Sequence, residues 1–247
     1  MSASAAAGII HRVASVTDRV ILFHSAAGKG SIVLLDMLSA QFREVLCVFM
    51  YLIKDSYLDR YIAWAERKYP NARFVKIPHF QLSVMVKNGS FGVKPNPKQK
   101  VYNLSMLANK MCAEHGVAWC CFGFKQSDSL NRRLMLRTYE MGGVNEKTRR
   151  FYPLSEWKNG DCLAYIKRHQ LATPIRYSTE QSADMDIGSG AYLTWCRQNH
   201  PKDFEKIVAA FPLCGALQHD YEQREKQNEK QREKQGKGRR KGKVPSE

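Results

Sequence analysis

No apolar run in this sequence approaches the roughly 20 residues needed to cross a bilayer, which excludes membrane-spanning roles and leaves no membrane partner expected. The first residues, MSASAAAGII, lack the basic start and long apolar stretch of a signal peptide, so residues 1–17 read as a loose leader. Cysteine is present but unpatterned. Cys47, Cys112, Cys120, Cys121, Cys162, Cys196 and Cys214 give an odd count with no CxxC spacing. That fits free thiols in a reducing cytoplasm better than a disulfide framework. It also argues against structural zinc and predicts no metal ligand set and no iron–sulfur cluster. Acidic residues are short, 23 against 39 Lys and Arg, and the resulting charge of +16 favours anionic ligands or polyanions. From Tyr221 the chain has almost no apolar residues and cannot build a core. Its repeated REKQ can continue a helix, and the GKGRRKGK end is expected to be disordered. DNA or RNA is the partner that Lys237, Arg239, Arg240 and Lys241 would attract there, and basic character also remains in the body of the chain.

What is present begins with Val20–Leu38, VILFHSAAGKGSIVLLDML. An apolar run meets a loop of small residues, and Ser31 opens a segment with Ile32, Leu35 and Leu38 at helical spacing. Strand, small loop, helix is an anion site in outline. Amides at a helix start lack partners, the helix dipole favours negative charge there, and small residues admit a phosphate close to the backbone. Glu44–Tyr51 and Val117–Phe122 read as buried parallel strands, and Arg73–Ile77 as a shorter one. Helices are expected over 57–68, 102–115 and 127–141, the last capped by Ser127 or Asp128, with 79–100 irregular. Strand and helix alternate four times, which predicts a parallel sheet whose ligand site lies beyond the strand carboxyl ends. The loops converging there are His24–Gly30, Lys54–Ser56, His79–Gly92 and Gly123–Ser127. Arg149–Pro153 reads as extended, followed by helices at 161–169, 191–199 and after Pro201.

Three stretches together resemble the phosphoadenylyl-sulfate (PAPS) reductase family of the PP-loop adenine-nucleotide α-hydrolases. AAGKGSIVLLDML is similar to the family's Ser-Gly-Gly-Lys-Asp-Ser loop and helix. FGFKQSDSLNRRLML is similar to its Gly-x-Arg-x-x-(Glu/Asp)-Ser-x-x-Arg element, and RRFYPLSEWKNGDCLAYIKRHQLATPIRYS to its Tyr-Pro-x-x-x-Trp block. The segment AYLTWCRQNHPKDFEKIVAAFP is similar to the helical extension of short members found in bacteriophages. The resemblance implies an α/β fold, a parallel sheet with helices on both faces (PP-loop, Rossmann-like). It also implies a nucleotide-binding core at 18–145, a smaller helical C-terminal part at 146–220 and a basic tail at 221–247. The location implied is the cytoplasm, the host's for a phage-encoded chain.

The implied ligand is an adenine nucleotide, PAPS, PAP or ATP, used for sulfur reduction or adenylyl- or pyrophosphatase-type chemistry. A thioredoxin-like reductant is an implied partner, and a homodimer is compatible. Residue by residue, only Gly28, Lys29 and Ser31 match the first motif. Ala26, Ala27 and Gly30 stand where the family has Ser, Gly and Asp. Magnesium is linked to that Asp, so its use here is doubtful. Lys125 replaces the second motif's Arg, while Asp128, Ser129 and Arg132 hold. Phosphate is therefore expected on His24, Ser25, Ala27, Gly28, Lys29, Gly30 and Ser31, with Lys125, Asp128, Ser129 and Arg132 beside it. Arg149 and Arg150 could add to an anion patch, although surface charge explains them equally well. His24 and His79 could meet an anion at the cleft, or be ordinary packed histidines. Cys214, the nearest match to the family's nucleophilic Cys, lacks its acidic neighbour and also reads as a packed thiol. Cys120 and Cys121 read as core and Trp157 as packing. The alternative is a scaffold that keeps the fold, loses catalysis, and binds nucleic acid or protein.

Overall fold

The apolar run before the small-residue loop is strand β1 (Arg19–Phe23), and the computed structural model describes residues 2–177 and 185–241, with side chains at 4–177 and 185–232. These fall into two units, 2–90 with 94–177 and 91–93 with 185–241.

In the first unit β1 lies beside β2 (Glu44–Tyr51) and β4 (Trp119–Cys121), with β3 (Ala72–Pro78) outside β2. Two short strands, β5 (Val144–Asn145) and β6 (Arg150–Phe151), complete the order β3-β2-β1-β4-β6-β5. All neighbours are parallel except β5 and β6. Val20 is level with Val45 on one side and Trp119 on the other. The continuous apolar runs are explained by burial on both faces. Val20, Leu22, Val45, Cys47 and Cys121 pack on one side, and Ile21, Phe23, Leu46, Val48 and Cys120 on the other. The adjacent Cys120 and Cys121 thus face opposite ways, as strand alternation requires.

The first face is covered by α1 (Ser2–Ala14), α2 (Lys29–Ser39) and α7 (Asn159–Arg168), the second by α5 (Leu104–His115) and the end of α6 (Leu130–Arg137). The leader is therefore not loose. Ala6, Ile9, Ile10 and Val13 repeat at helical spacing and are buried, and burying each Ile contributes roughly 1.5–3 kcal/mol. A Cβ at Gly143 would lie 2.7 Å from Ile9 Cδ1 and 2.8 Å from the Tyr152 carbonyl, so only glycine lets α1 dock there.

Helix α3 (Asp59–Lys68) follows β2, and α4 (Phe80–Asn88) replaces the first part of the irregular stretch expected at 79–100. His79 Nδ1 accepts from Gln81 N to cap α4, and Gly89 closes it with φ 72°. Helix α6 is shorter than expected, and its cap is Ser129, not Ser127 or Asp128. Ser127 Oγ donates instead to the Trp157 carbonyl, and the Asp128 carboxylate turns back to Lys125. Trp157 packs in the core against Tyr165, ring centroids 5.8 Å apart.

The second unit holds α8 (Gly190–Asn199), α9 (Pro201–Ala210) and α10 (Leu213–Lys241). Gly190 permits close approach of α8 to α10, since a Cβ there would sit 2.4 Å from Tyr221 Cβ. The tail expected to be disordered is helical through Lys241. Its Glu, Lys, Gln and Arg are strong helix formers, and this outweighs Gly236 and Gly238. Residues 242–247 lie outside the described residues.

Candidate functional site

The strand order reverses between β1 and β4, so the loops leaving these two strands open the crevice where a doubly wound sheet binds ligands. They are two of the four loops the sequence singled out, 24–30 and 123–127.

The first is shaped by its own side chains. His24 N donates to the Val48 carbonyl at 3.0 Å, and His24 Nδ1 accepts from Ala26 N at 2.9 Å. That bond holds Ala26 in the left-handed region, φ 54°. Ser25 N donates to Ser31 Oγ at 2.9 Å, and the two hydroxyls are also 2.9 Å apart, pinning the loop's ends together. Gly28 is the N-cap of α2 and offers no side-chain cap, and Ile32 N makes the first bond, to the Gly28 carbonyl at 3.0 Å. The first-turn amides of Gly30 and Ser31 precede that bond, where the helix dipole is most positive. A Cβ at Gly30 would lie 3.8 Å from the Gly123 carbonyl, so the two loops touch through their backbones.

The second loop brings charge. Lys125 is buried, its Nζ is 3.0 Å from Asp128 Oδ1, and its backbone N donates to Asp128 Oδ2 at 3.0 Å. Arg132 Nη1 donates to the same Oδ2 at 2.7 Å, and its guanidinium stacks over Phe124, 4.1 Å from the ring centre. Burial raises the Asp128 carboxyl, but Lys125 and Arg132 bring it below the usual carboxylate range. The loop is anchored by Gln126 N donating to the Ser155 carbonyl at 2.7 Å. Lys29 belongs to the same field, its ammonium lowered by partial burial and then by Lys125 and Arg176. Lys125 and Arg132 thus share one carboxylate, with Lys29 and Arg176 in the same field, leaving a net positive charge of the kind that attracts a phosphate or sulfate.

Several expected positions do something else. His24 is buried and neutral: burial lowers it to about 3, so it is neither a cation for an anion nor a proton carrier near neutrality. It is a support for the loop, and its Nε2 has no hydrogen-bond partner among the described residues. His79 caps α4 and stacks on Phe80 at 4.5 Å. Arg150 lies level with Cys120, inside the sheet and short of its carboxyl edge, and donates to the Ser105 carbonyl and Asn109 Oδ1. Arg149 precedes it with φ 52°, its carbonyl accepting from Cys120 N. Neither arginine joins the two loops. Cys214 is buried in the second unit, donates to the Ile187 carbonyl at 3.5 Å, and burial raises its thiol to about 11. That environment suits a packed thiol, not a nucleophile. Lys237, Arg239, Arg240 and Lys241 lie on helical backbone beyond the described side chains.

Sequence reasoning missed Arg176, although it lies within the third family-like stretch, and Phe124, the platform under Arg132. The signal for Phe124 was its position between Gly123 and Lys125. It also missed that Cys112 and Cys120 meet, because helix and strand spacings do not show which ends come together.

The phosphoadenosine phosphosulfate reductase domain model matches residues 20–177, a span containing both loops. No curated protein sequence matches the chain. Among solved structures it is similar to the U34-tRNA thiolase NcsA from Methanococcus maripaludis with its [4Fe-4S] cluster. There the identity is 13% and the TM-score 0.47, over 88% of this chain and 78% of that one. It is also similar to the NH3-dependent NAD synthetase from Campylobacter jejuni in complex with the nitrate ion, at 13% identity and TM-score 0.47, over 100% and 96%. The first of these withdraws the expectation that an iron–sulfur cluster is excluded, since NcsA is solved with one. The physical reason is that cluster ligands can come from distant parts of a chain, so missing CxxC spacing decides nothing. Among the described residues no three His, Cys, Asp or Glu side chains are grouped to hold a metal ion.

Proposed function

As the chain belongs to the phosphoadenosine phosphosulfate reductase domain family, we propose that it binds a phosphorylated or sulfated adenine nucleotide between the loops after β1 and β4. The observation that carries this is the meeting of an uncapped helix start at Gly28–Ser31 with the Lys125–Asp128–Arg132 cluster. The amides of Gly30 and Ser31 donate to a phosphate, with Lys29 as counter-charge. Lys125 and Arg132, held in place by Asp128, face the second anionic group, and the Ser129 hydroxyl caps the helix that carries Arg132. Ser25 and Ser31 keep the loop narrow, and Ala27 keeps its floor free of side-chain bulk. Sulfur reduction or adenylyl- or pyrophosphatase-type transfer is the reaction class that such a ligand serves.

Calorimetry with PAPS, PAP and ATP tests the binding. Heat of binding for at least one, lost in a Lys125→Met variant that remains folded, is expected. No binding of any of the three overturns the proposal.

One observation favours a second reading, a scaffold that binds without turnover. Three loop positions depart from the family pattern, Ala26, Ala27 and Gly30, and Cys214 is buried. A Cβ at Gly30 meets Leu154 Cδ1 only at an ordinary 3.6 Å, so an Asp side chain can be rebuilt there. Nucleotide turnover by the natural chain removes the scaffold reading. Turnover that appears only in the Ala26→Ser, Ala27→Gly, Gly30→Asp variant establishes it.

A further inference from the structure

We propose that Cys112 and Cys120 form a reversible redox pair, closed to a disulfide by a peroxide and reopened by a dithiol. Cys112 lies on α5 and Cys120 on β4, and their sulfurs are 3.3 Å apart. The other cysteines are buried, whereas Cys112 is half-buried and reachable from solvent. It is also set among cations. Register places Arg150 level with Cys120, and Arg150 donates to the Ser105 carbonyl and Asn109 Oδ1. Ser105, Asn109 and Cys112 follow one another at spacings of four and three, so they share a face of α5. Arg149 is attached through its carbonyl to Cys120 N. The hydrogen bond from the Cys120 thiol, and then Arg150 and Arg149, bring the Cys112 thiol down to about 7 against its partial burial. Cys120 moves the opposite way, raised by that same bond and by burial. One thiol is thus prepared as the nucleophile and its neighbour as the resolving group.

The reaction balances without a metal. The Cys112 thiolate attacks one peroxide oxygen, the O–O bond breaks, and the leaving hydroxide takes a proton to become water. Cys120 then attacks the Cys112 sulfenic sulfur, forming the S–S bond and expelling the hydroxyl, which leaves as a second water with the Cys120 proton. Two thiols are oxidised by two electrons, and one peroxide is reduced to two waters. A dithiol reverses the bond by exchange and leaves as its own disulfide. The link would tie α5 to β4, the strand that feeds the Lys125 loop.

The test uses the full chain, treated with hydrogen peroxide, alkylated without reductant and cleaved after Glu114, which separates Cys112 from Cys120. The expected product is a Cys112–Cys120 linked peptide pair, two hydrogens lighter than the free peptides, that dithiothreitol separates. Cys112 remaining alkylatable overturns the proposal, as does its conversion to sulfinic acid beside a free Cys120, or a link to Cys121. In Cys120→Ala the sulfenic acid on Cys112 should persist and be trapped by dimedone. Because Cys120 is buried, a second measurement leaves the fold intact: the rate of Cys112 alkylation in the natural chain against pH. A midpoint near 7 is expected from its surroundings, and one near the ordinary cysteine value of about 8.5 overturns the assignment of Cys112 as nucleophile.

Discussion

The loop after β1 carries one cation, Lys29, over residues 24–31, whereas the loop after β4 folds Lys125 and Arg132 around Asp128. The first is built from backbone. A neutral histidine and two hydroxyls fix its path, and what it offers a ligand is N–H groups at a helix start. The second is built from charge. Its carboxylate is there to aim two cations, and each of its side chains would be costly to bury alone. In the proposed site the pairing divides the work of holding an anion. Backbone donors set where it sits, and the cations set how strongly it is attracted. The two kinds of loop should fail under different conditions, and acid separates them.

The largest effect is expected at His24. In the unfolded chain it takes up a proton near pH 6.5, and in the folded chain burial delays this to about 3. Between those values the unfolded state binds more protons, so stability falls as pH falls, by about 1.4 kcal/mol per pH unit. By pH 4.5 the loss reaches about 3 kcal/mol. His24→Asn keeps an acceptor for Ala26 N and removes the titration. Its urea midpoint should therefore change much less between pH 6.5 and 4.5 than that of the natural chain. Parallel curves for the two proteins would show that His24 does not set the acid response of this loop.

The next effects belong to the charged loop. Lys125→Met deprives Asp128 of its buried partner while leaving Arg132, and should cost about 2 kcal/mol at pH 7, measured by denaturant unfolding. Asp128→Asn should cost less, about 1 kcal/mol, and carries its own acid signature. Its folded carboxyl lies below the ordinary 3.8. Its contribution is thus fully present above the unfolded value and is lost only as pH falls through the depressed folded one. Acid should weaken the β1 loop well before it reaches the β4 loop. A natural chain whose stability stays flat from pH 6.5 to 4.5 and drops only below would reverse that order.

How much of this was legible depended on whether a contact is recorded in local pattern. Val20–Phe23 and Glu44–Tyr51 are strands in the sequence because two-sided burial demands unbroken apolar runs. Gly28–Ser31 is a helix start because small residues precede an apolar stripe. The leader misled because Ala6, Ile9, Ile10 and Val13 do carry the helical period, but among small residues that look featureless. The sequence leaves His24 and His79 open between a cleft role and plain packing, and each turns its Nδ1 back onto an amide two residues ahead, a choice of rotamer that no spacing records. The closing of Lys125 on Asp128 depends on a backbone turn. The meeting of Cys112 with Cys120 depends on how α5 lies on the sheet. Elements and the crevice between them follow from pattern, while the partners of individual polar groups follow from packing.

The smallest stability effect should come from Arg132, and it is the most discriminating. Its side chain is 40% exposed, although Asp128 is more enclosed. An exposed ion pair contributes about 0.5 kcal/mol, and its stacking on Phe124 adds about as much. Arg132→Ala should therefore lower stability by about 1 kcal/mol at most, less than Lys125→Met does. If Arg132 instead serves the ligand, the same change should reduce affinity for PAPS or PAP about tenfold, equivalent to about 1.4 kcal/mol. Arg132→Lys should recover only part of that, since an ammonium cannot make two parallel bonds to one anion. A variant that binds nucleotide as the natural chain does would confine Arg132 to supporting Asp128. The ligand's second anionic group would then rest on Lys125 alone.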